Sequence, residues 1–322
     1  MIVAQRAVVA IERAGSYQPN TLRAAIGRVV EALGGWGRLV RPGDRVLVKP
    51  NCIYPATPDR QVMTHPAFIL EVCRQLLEQG SRPFVGDSPA WGSLVGNLRQ
   101  LNVLEDLRGL GVPVVEFNRP VKAENARGRV FCRLTVDAAA LEADAIVNLP
   151  KLKTHRQLVL TAALKNMFGC ASGHSKKWWH FKAGNYENYF GLMLVETFEM
   201  LRPVVTIMDA IVAMEGNGPI SGTPRQVGLV MASTDGAALE RVSADLVGLK
   251  PARLRTLSAA RELGVGTPYL ERIDVVGADL AGLHLDDFKM PKMMPIGFSL
   301  PRFVRSTLKQ AWLVHQQSRS WK

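Results

Sequence analysis

The sequence predicts an α/β protein built on a mostly parallel sheet flanked by helices, arranged as two lobes with a cleft between them. Three observations lead there. Short β-branched runs alternate with helix-period segments along most of the 322 residues, which is the pattern of repeated strand–helix–strand units. Glycine and proline mark the transitions between them. Apolar residues make up 47% of the chain and charged residues 21%, an ordinary globular balance in a chain longer than one average domain.

Taken in order, strands are expected from Ala7 to Ile11, Arg45 to Lys49, Arg82 to Gly86, Val112 to Phe117, Ala145 to Leu149, Val204 to Met208, Val227 to Ala232 and Ile273 to Val276. Helices are expected from Thr21 to Leu33, Pro66 to Gln79, Tyr189 to Leu201, Gly236 to Gly248 and Ala252 to Leu263, each with apolar residues three and four apart. Pro66 suits a first helical turn, where its missing N–H is not needed. A further helix is expected from Thr154 through TAALKNMFG, which would place His155 and Lys165 on one side. The regular alternation breaks near Lys151 to Arg156. An N-terminal lobe over 1–153, a second lobe over 154–288 carrying an irregular basic insertion at 169–188, and a basic amphipathic tail over 289–322 follow from that break.

Charge narrows the function classes. The net charge is +12, yet after Asp287 there are seven Lys and Arg residues and no acid, so the tail holds more than half of the excess. Nucleic acid is not an expected partner, because no recognised binding module accompanies the charge. In the tail, Phe303, Leu308, Ala311 and Trp312 share a helical face, the pattern of a helix that lies on an anionic membrane, docks a partner or packs on its own body. Four scattered cysteines without a CxxC pair, and no run of about 18 apolar residues, point to a reducing cytoplasmic location with peripheral membrane contact left open.

The chemistry is expected in the middle third. Between Asp144 and Glu187 there is no carboxylate, while Lys151, Lys153, Arg156, Lys165, Lys176, Lys177 and Lys182 are interleaved with His155, His174 and His180. Such a concentration beyond a strand's carboxyl end suits a phosphate or carboxylate ligand, since open α/β sheets bind there. Three other strand ends carry polar residues: Lys49 and Asn51 in VKPNC, Asp87 and Ser88 in GDSP, and Asp209 with Glu215, Gly216 and Gly218 beyond TIM. Their convergence on one sheet edge would make a single pocket. No Walker A, GxSxG, HExxH or GxGxxG signature is present.

These loops carry a resemblance. VKPNC at 48–52, THP at 64–66, GDSP at 86–89, NLPKLKTH at 148–155, TAALKNMFG at 161–169, KKWWH at 176–180 and MDAIVAMEGNGPISG at 208–222 resemble, in that order, a prokaryotic family known as domain of unknown function 362. The resemblance implies functional roles for Lys49, Asn51, His65, Asp87, Lys153, His155, Lys165, Asn166, His180, Asp209 and Glu215. Many members continue into a ferredoxin-like module with cysteine-ligated clusters, whereas this sequence stops at QQSRSWK, so no iron–sulfur cluster is expected on this chain. Glu240 stands where the family favours aspartate. A weaker similarity is to the nickel-dependent lactate racemase, in which a histidine precedes a cofactor-bearing lysine at an interval like that of His155 and Lys165.

Together these readings predict an enzyme of redox or isomerase type acting on an anionic small molecule, with His155, Lys165 and His180 as catalytic groups. Lys49, Asn51, His65, Asp87, Ser88, Lys151, Lys153, Asn166, Lys177, Gly216 and Gly218 are the expected ligand or cofactor contacts. The cofactor classes left open are a nucleotide-like group and a divalent metal held by Asp209, Glu215 and His180. The alternative is a non-catalytic subunit whose basic tail docks a ferredoxin-like electron-transfer protein or a membrane surface.

Overall fold

The computed structural model describes residues 6–171, 188–295, 308–309 and 311–317. Its strands are β1 (Ala7–Arg13), β2 (Arg45–Pro50), β3 (Arg82–Asp87), β4 (Val114–Glu116), β5 (Pro120–Glu124), β6 (Arg133–Asp137), β7 (Ala145–Leu149), β8 (Lys151–His155), β9 (Val159–Thr161), β10 (Val205–Glu215), β11 (Thr223–Ser233) and β12 (Ile273–Gly277). Ten of these form one sheet in the order β12-β1-β11-β10-β7-β2-β3-β4, with β8 pairing both β10 and β9. The β1–β11, β10–β11 and β8–β9 pairs are antiparallel and the others in this sheet are parallel. The remaining two strands, β5 and β6, form a separate hairpin.

Helices cover both faces, which is why the central strands read as nearly continuous apolar runs. Alternate side chains of β2 enter different cores. Val46 and Val48 pack with residues of the helices Pro19–Glu31 and Pro66–Glu78, whereas Leu47 packs with those of Tyr189–Leu201. The expected mostly parallel α/β architecture is therefore present. The division expected after residue 153 falls inside β8, and strands from both sides of it share the one sheet.

Two local expectations are corrected. The helix expected from Thr154 does not form: Lys151–His155 is a strand, Val159–Thr161 returns beside it, and helix begins only at Ala163. The long strand β10 offers β8 a parallel partner at Lys151 and Lys153, and this pairing outweighs the local helical period. His155 and Lys165 therefore do not share a helix. The second correction concerns β10 itself, which runs on to Glu215, so Asp209 and Glu215 lie within a strand rather than in the loop after it.

The helix Gly236–Leu246 is started by Asp235, whose side chain accepts from the N–H groups of Ala237 (2.9 Å) and Ala238 (3.0 Å). Asp235→Ala should lower the unfolding free energy by about 1 kcal/mol in a denaturant titration.

Candidate functional site

The carboxyl ends of β2 and β3, the start of β8 and the middle of β10 come together at one region of the sheet and bury charge there. Lys49, Lys151 and Lys153 are each 1% exposed. An ammonium group so placed must be met by a carboxylate or by several oxygens. Lys49 Nζ lies 2.8 Å from Asp87 Oδ2 and donates to Pro50 O at 2.7 Å. Asp87 also accepts from the N–H groups of Ser88 (2.7 Å) and Cys52 (3.1 Å), so Ser88 enters the site through its backbone. Gly169 presses on this pair: a Cβ there would collide with Lys49 Nζ and Asp87 Oδ1.

The second pair joins β8 to β10. Lys151 Nζ donates to Asp209 Oδ2 (2.8 Å), Gln61 Oε1 (2.7 Å) and the Tyr17 hydroxyl (2.8 Å), which uses all three of its protons. Tyr17 donates in turn to Asp209 Oδ1 at 2.7 Å, and the His65 N–H donates to Asp209 Oδ2 at 3.0 Å. The His65 ring stacks on Tyr17 with centroids 3.6 Å apart, and its Nδ1 caps the helix Pro66–Glu78 by accepting from the Ala67 N–H. Burial, with Lys151 adding to it and Asp209 opposing, lowers the His65 pKa to about 4, so the ring is neutral near pH 7.

Between these pairs lies a third set with no carboxylate of its own. Lys153 Nζ donates to Asn51 Oδ1 and Val62 O, both at 2.6 Å. Asn51 Nδ2 donates to Asn166 Oδ1 (2.9 Å), and Asn166 Nδ2 donates to Asn148 Oδ1 (2.8 Å). Burial drives the Lys153 pKa well below its ordinary value, and the positive charges of Lys165 and Lys151 push it further. Lys165 is half-buried, and its side chain makes no hydrogen bond or ion pair among the described residues. Its pKa falls to about 8, first through burial and then through the nearby Lys49, with Glu240 and Asp87 opposing.

Glu240 is 1% exposed and accepts from the Leu164 N–H at 3.0 Å and from the Thr256 hydroxyl. Burial raises its pKa to about 7, against the opposing effect of its hydrogen bonds and Lys165. A lysine near 8 and a carboxyl group near 7 are two groups able to exchange protons at neutral pH.

The structure thus brings together Lys49, Asn51, His65, Asp87, Ser88, Lys151, Lys153, Lys165, Asn166 and Asp209. His155 ends β8, buried, with Nδ1 accepting from the Gln157 N–H at 3.1 Å. His180 and Lys177 lie outside the described residues. Gly216 donates its N–H to Lys289 O (2.7 Å) and Gly218 to Thr154 Oγ1 (3.2 Å), so those donors tie the loop to neighbouring segments. Glu215 is likewise engaged, accepting from the Lys289 N–H at 3.1 Å. Among the described residues no three His, Cys, Asp or Glu side chains converge on a metal position. Both Asp209 oxygens accept hydrogen bonds, and His180 of the expected metal set lies outside the described residues. A shallow concavity on the β5–β6 hairpin, lined by residues such as Lys122 and Arg133, includes none of the site residues.

Tyr17, Gln61, Thr64, Asn148 and Glu240 belong to the site without having been singled out as binding residues. Thr64 bridges two strand-end loops, accepting from the Asn51 N–H (2.8 Å) and donating to Leu149 O (2.7 Å). A polar residue inside an apolar strand, as at Asn148, was the available signal; Tyr17 and Gln61 gave none.

With this geometry in hand, known proteins supply the context. Residues 46–245, more than half of the chain, match the family described as "Domain of unknown function (DUF362)". The chain belongs to the DUF362 family. The resemblance read from the motifs is therefore borne out. A thylakoid-associated protein of Synechocystis sp. is 42% identical over 306 residues, covering 95% of this chain and 94% of its own. Among solved structures, the lactate racemase apoprotein from Thermoanaerobacterium thermosaccharolyticum matches with a TM-score of 0.47 and 12% identity, over 74% of this chain and 56% of that one. The DUF362 chain spans little more than half of the racemase, and a likeness of this size transfers no reaction.

Lys165 should react with an amine-directed acylating reagent with a midpoint near pH 8, as followed by mass spectrometry of its peptide, whereas surface lysines should show midpoints near 10. A midpoint near 10 at Lys165 would remove its special status. The sign for stability follows. With a folded pKa of about 8 against 10.5 for the model lysine, the folded state binds the proton less tightly, so stability is penalised below pH 8 and recovers as pH rises from 8 to 10.5. Lys165→Met should flatten that rise in a pH series of denaturant titrations.

Proposed function

We propose that this DUF362 protein is an enzyme that binds a small molecule bearing a carboxylate or phosphate against Lys153 and Lys165, and that Lys165 moves a proton during turnover. The observation that carries this reading is the state of Lys165: a half-buried residue whose side chain has no described partner, beside Lys49, whose charge adds to burial in depressing its proton affinity. Lys49 and Lys151 are neutralised by Asp87 and Asp209. Lys153 is met by the neutral oxygens of Asn51 and Val62. A bound anion would supply the missing negative charge, and the low-dielectric surroundings would strengthen its attraction.

In this reading the Lys49–Asp87 and Lys151–Asp209 pairs hold the strand ends rigid, and the Asn51–Asn166–Asn148 chain fixes the position of Lys153. Lys165 then receives or returns a proton at Nζ, with Glu240 nearby as a second titrating group. Proton transfer beside a bound carboxylate is a step common to isomerases and oxidoreductases, and the proposal covers both. A nucleotide-like cofactor would meet the same lysines through its phosphates. The name of the Synechocystis relative favours a further placement of this protein at a membrane surface.

Thermal unfolding of the whole protein in increasing inorganic phosphate, pyrophosphate or lactate tests the site. A ligand that binds only the folded state raises the melting temperature with concentration. At least one anion should do so at constant ionic strength, and Lys165→Ala should weaken its apparent affinity by about tenfold or more, as expected for losing a charge-assisted hydrogen bond. Equal stabilisation of both proteins, or of neither, would overturn the assignment.

A further inference from the structure

We propose that the C-terminal helical segment rests on an anionic lipid surface through Leu308 and Trp312. This gives the membrane placement above a physical surface and rests on that reading, but not on the anion site. Residues 308–309 and 311–317 are helical. The inner side of this helix is fastened to the body. Leu313 is buried, Gln317 accepts from the Ser93 N–H (2.8 Å) and donates to Asn97 Oδ1 (3.0 Å), and Lys309 Nζ sits 5.0 Å from the ring centres of both Tyr54 and Trp91.

The other side faces outward. Leu308 and Trp312, four residues apart and so one turn above each other, are 66% and 55% exposed. Docking on the body has therefore left the two largest apolar side chains of this face outside. The composition of the chain around them in sequence indicates what covers them. After Asp287 the chain carries Lys289, Lys292, Arg302, Arg305, Lys309, Arg319 and Lys322 and no acid. A second copy of this chain would bring the same seven positive charges and be repelled. Anionic headgroups over an acyl layer match both features, since basic residues are drawn to the headgroups while leucine and tryptophan enter the boundary beneath them. Neither signal suffices alone, and stable peripheral binding ordinarily needs two. Among the described residues no helix is long and apolar enough to cross a membrane, so the contact proposed is peripheral.

Co-sedimentation of the whole protein with vesicles tests this. Vesicles of phosphatidylcholine with phosphatidylglycerol should bind at least about tenfold more tightly than phosphatidylcholine alone, and binding should weaken as salt shortens the range of the attraction. The double variant Leu308→Ser with Trp312→Ser should lose about tenfold in affinity for the anionic vesicles. Its melting temperature, and its stabilisation by anions, should match those of the unaltered protein because both side chains lie outside the packed body. Equal vesicle binding by variant and parent would overturn the proposal, as would equal binding to neutral vesicles or no binding to either. Recruitment of an acidic soluble protein such as a ferredoxin by this face, without vesicle binding, would overturn it in favour of a protein partner. Vesicle binding by a protein that no anion stabilises would instead leave this inference standing and remove the enzymatic reading.

Discussion

Removing an ammonium ion from water costs several kcal/mol unless a carboxylate or several oxygens replace the lost solvent. This requirement organises the carboxyl edge of the sheet, where Lys49, Lys151 and Lys153 are buried almost completely. Two of them are compensated by Asp87 and Asp209 within 2.8 Å, and those pairs tie β2 to β3 and β8 to β10. The third relies on an amide and a carbonyl, and Lys165 beside it has less. The edge therefore carries more positive than negative charge in its interior. A protein selected for stability alone would be expected to put apolar side chains there, because exchanging buried ions for well-packed hydrophobic groups is often neutral or stabilising. Retaining the lysines makes sense if another molecule completes them.

Backbone geometry makes the arrangement attainable. Pro150 separates β7 from β8, and β10 is long enough to pair with both, matching Thr206 to Asn148 and then Asp209 to Lys151. Lys151 and Lys153 are two apart in β8 and so begin on the same face. The pairing register shifts between Asp209 and Met214, which separates what the two lysines meet: one is held by Asp209 and Tyr17, and the other reaches Asn51 and Val62. Gly169 adds the third side of the enclosure, since its backbone approaches the Lys49–Asp87 pair more closely than any residue with a Cβ would allow.

The strands and long helices were legible because burial on two faces writes β-branched runs and burial on one face writes a 3.6-residue period. Tyr189–Leu201, buried along most of its length, was placed at its observed bounds from its apolar run. The segment KLKTH was not legible as a strand. Its two lysine side chains enter a buried polar network, so the usual polar-outside rule reads it as a loop. The excess of lysine was equally visible, but which lysine meets which acid was not, because the partners are distant in sequence: Tyr17 and Asp209 are 192 residues apart, and Lys151 and Gln61 are 90 apart. Glu240 shows the same limit. In sequence it is one acidic residue on an amphipathic helix, whereas in the fold it accepts from the Leu164 N–H, one residue before Lys165.

The chain after Asp287 belongs to this same edge. The Lys289 backbone is tied to the end of β10, its carbonyl accepting from the Gly216 N–H and its N–H donating to the Glu215 carboxylate. Lys292 receives a donor from Arg156, and Pro295 one from Gln157, at the β8–β9 turn. Farther on, Lys309 and Gln317 meet residues of the loops that follow β2 and β3. The C-terminal region is thus anchored at the strand ends on either side of the lysine cluster, so its attachment and the geometry of the site are mechanically linked.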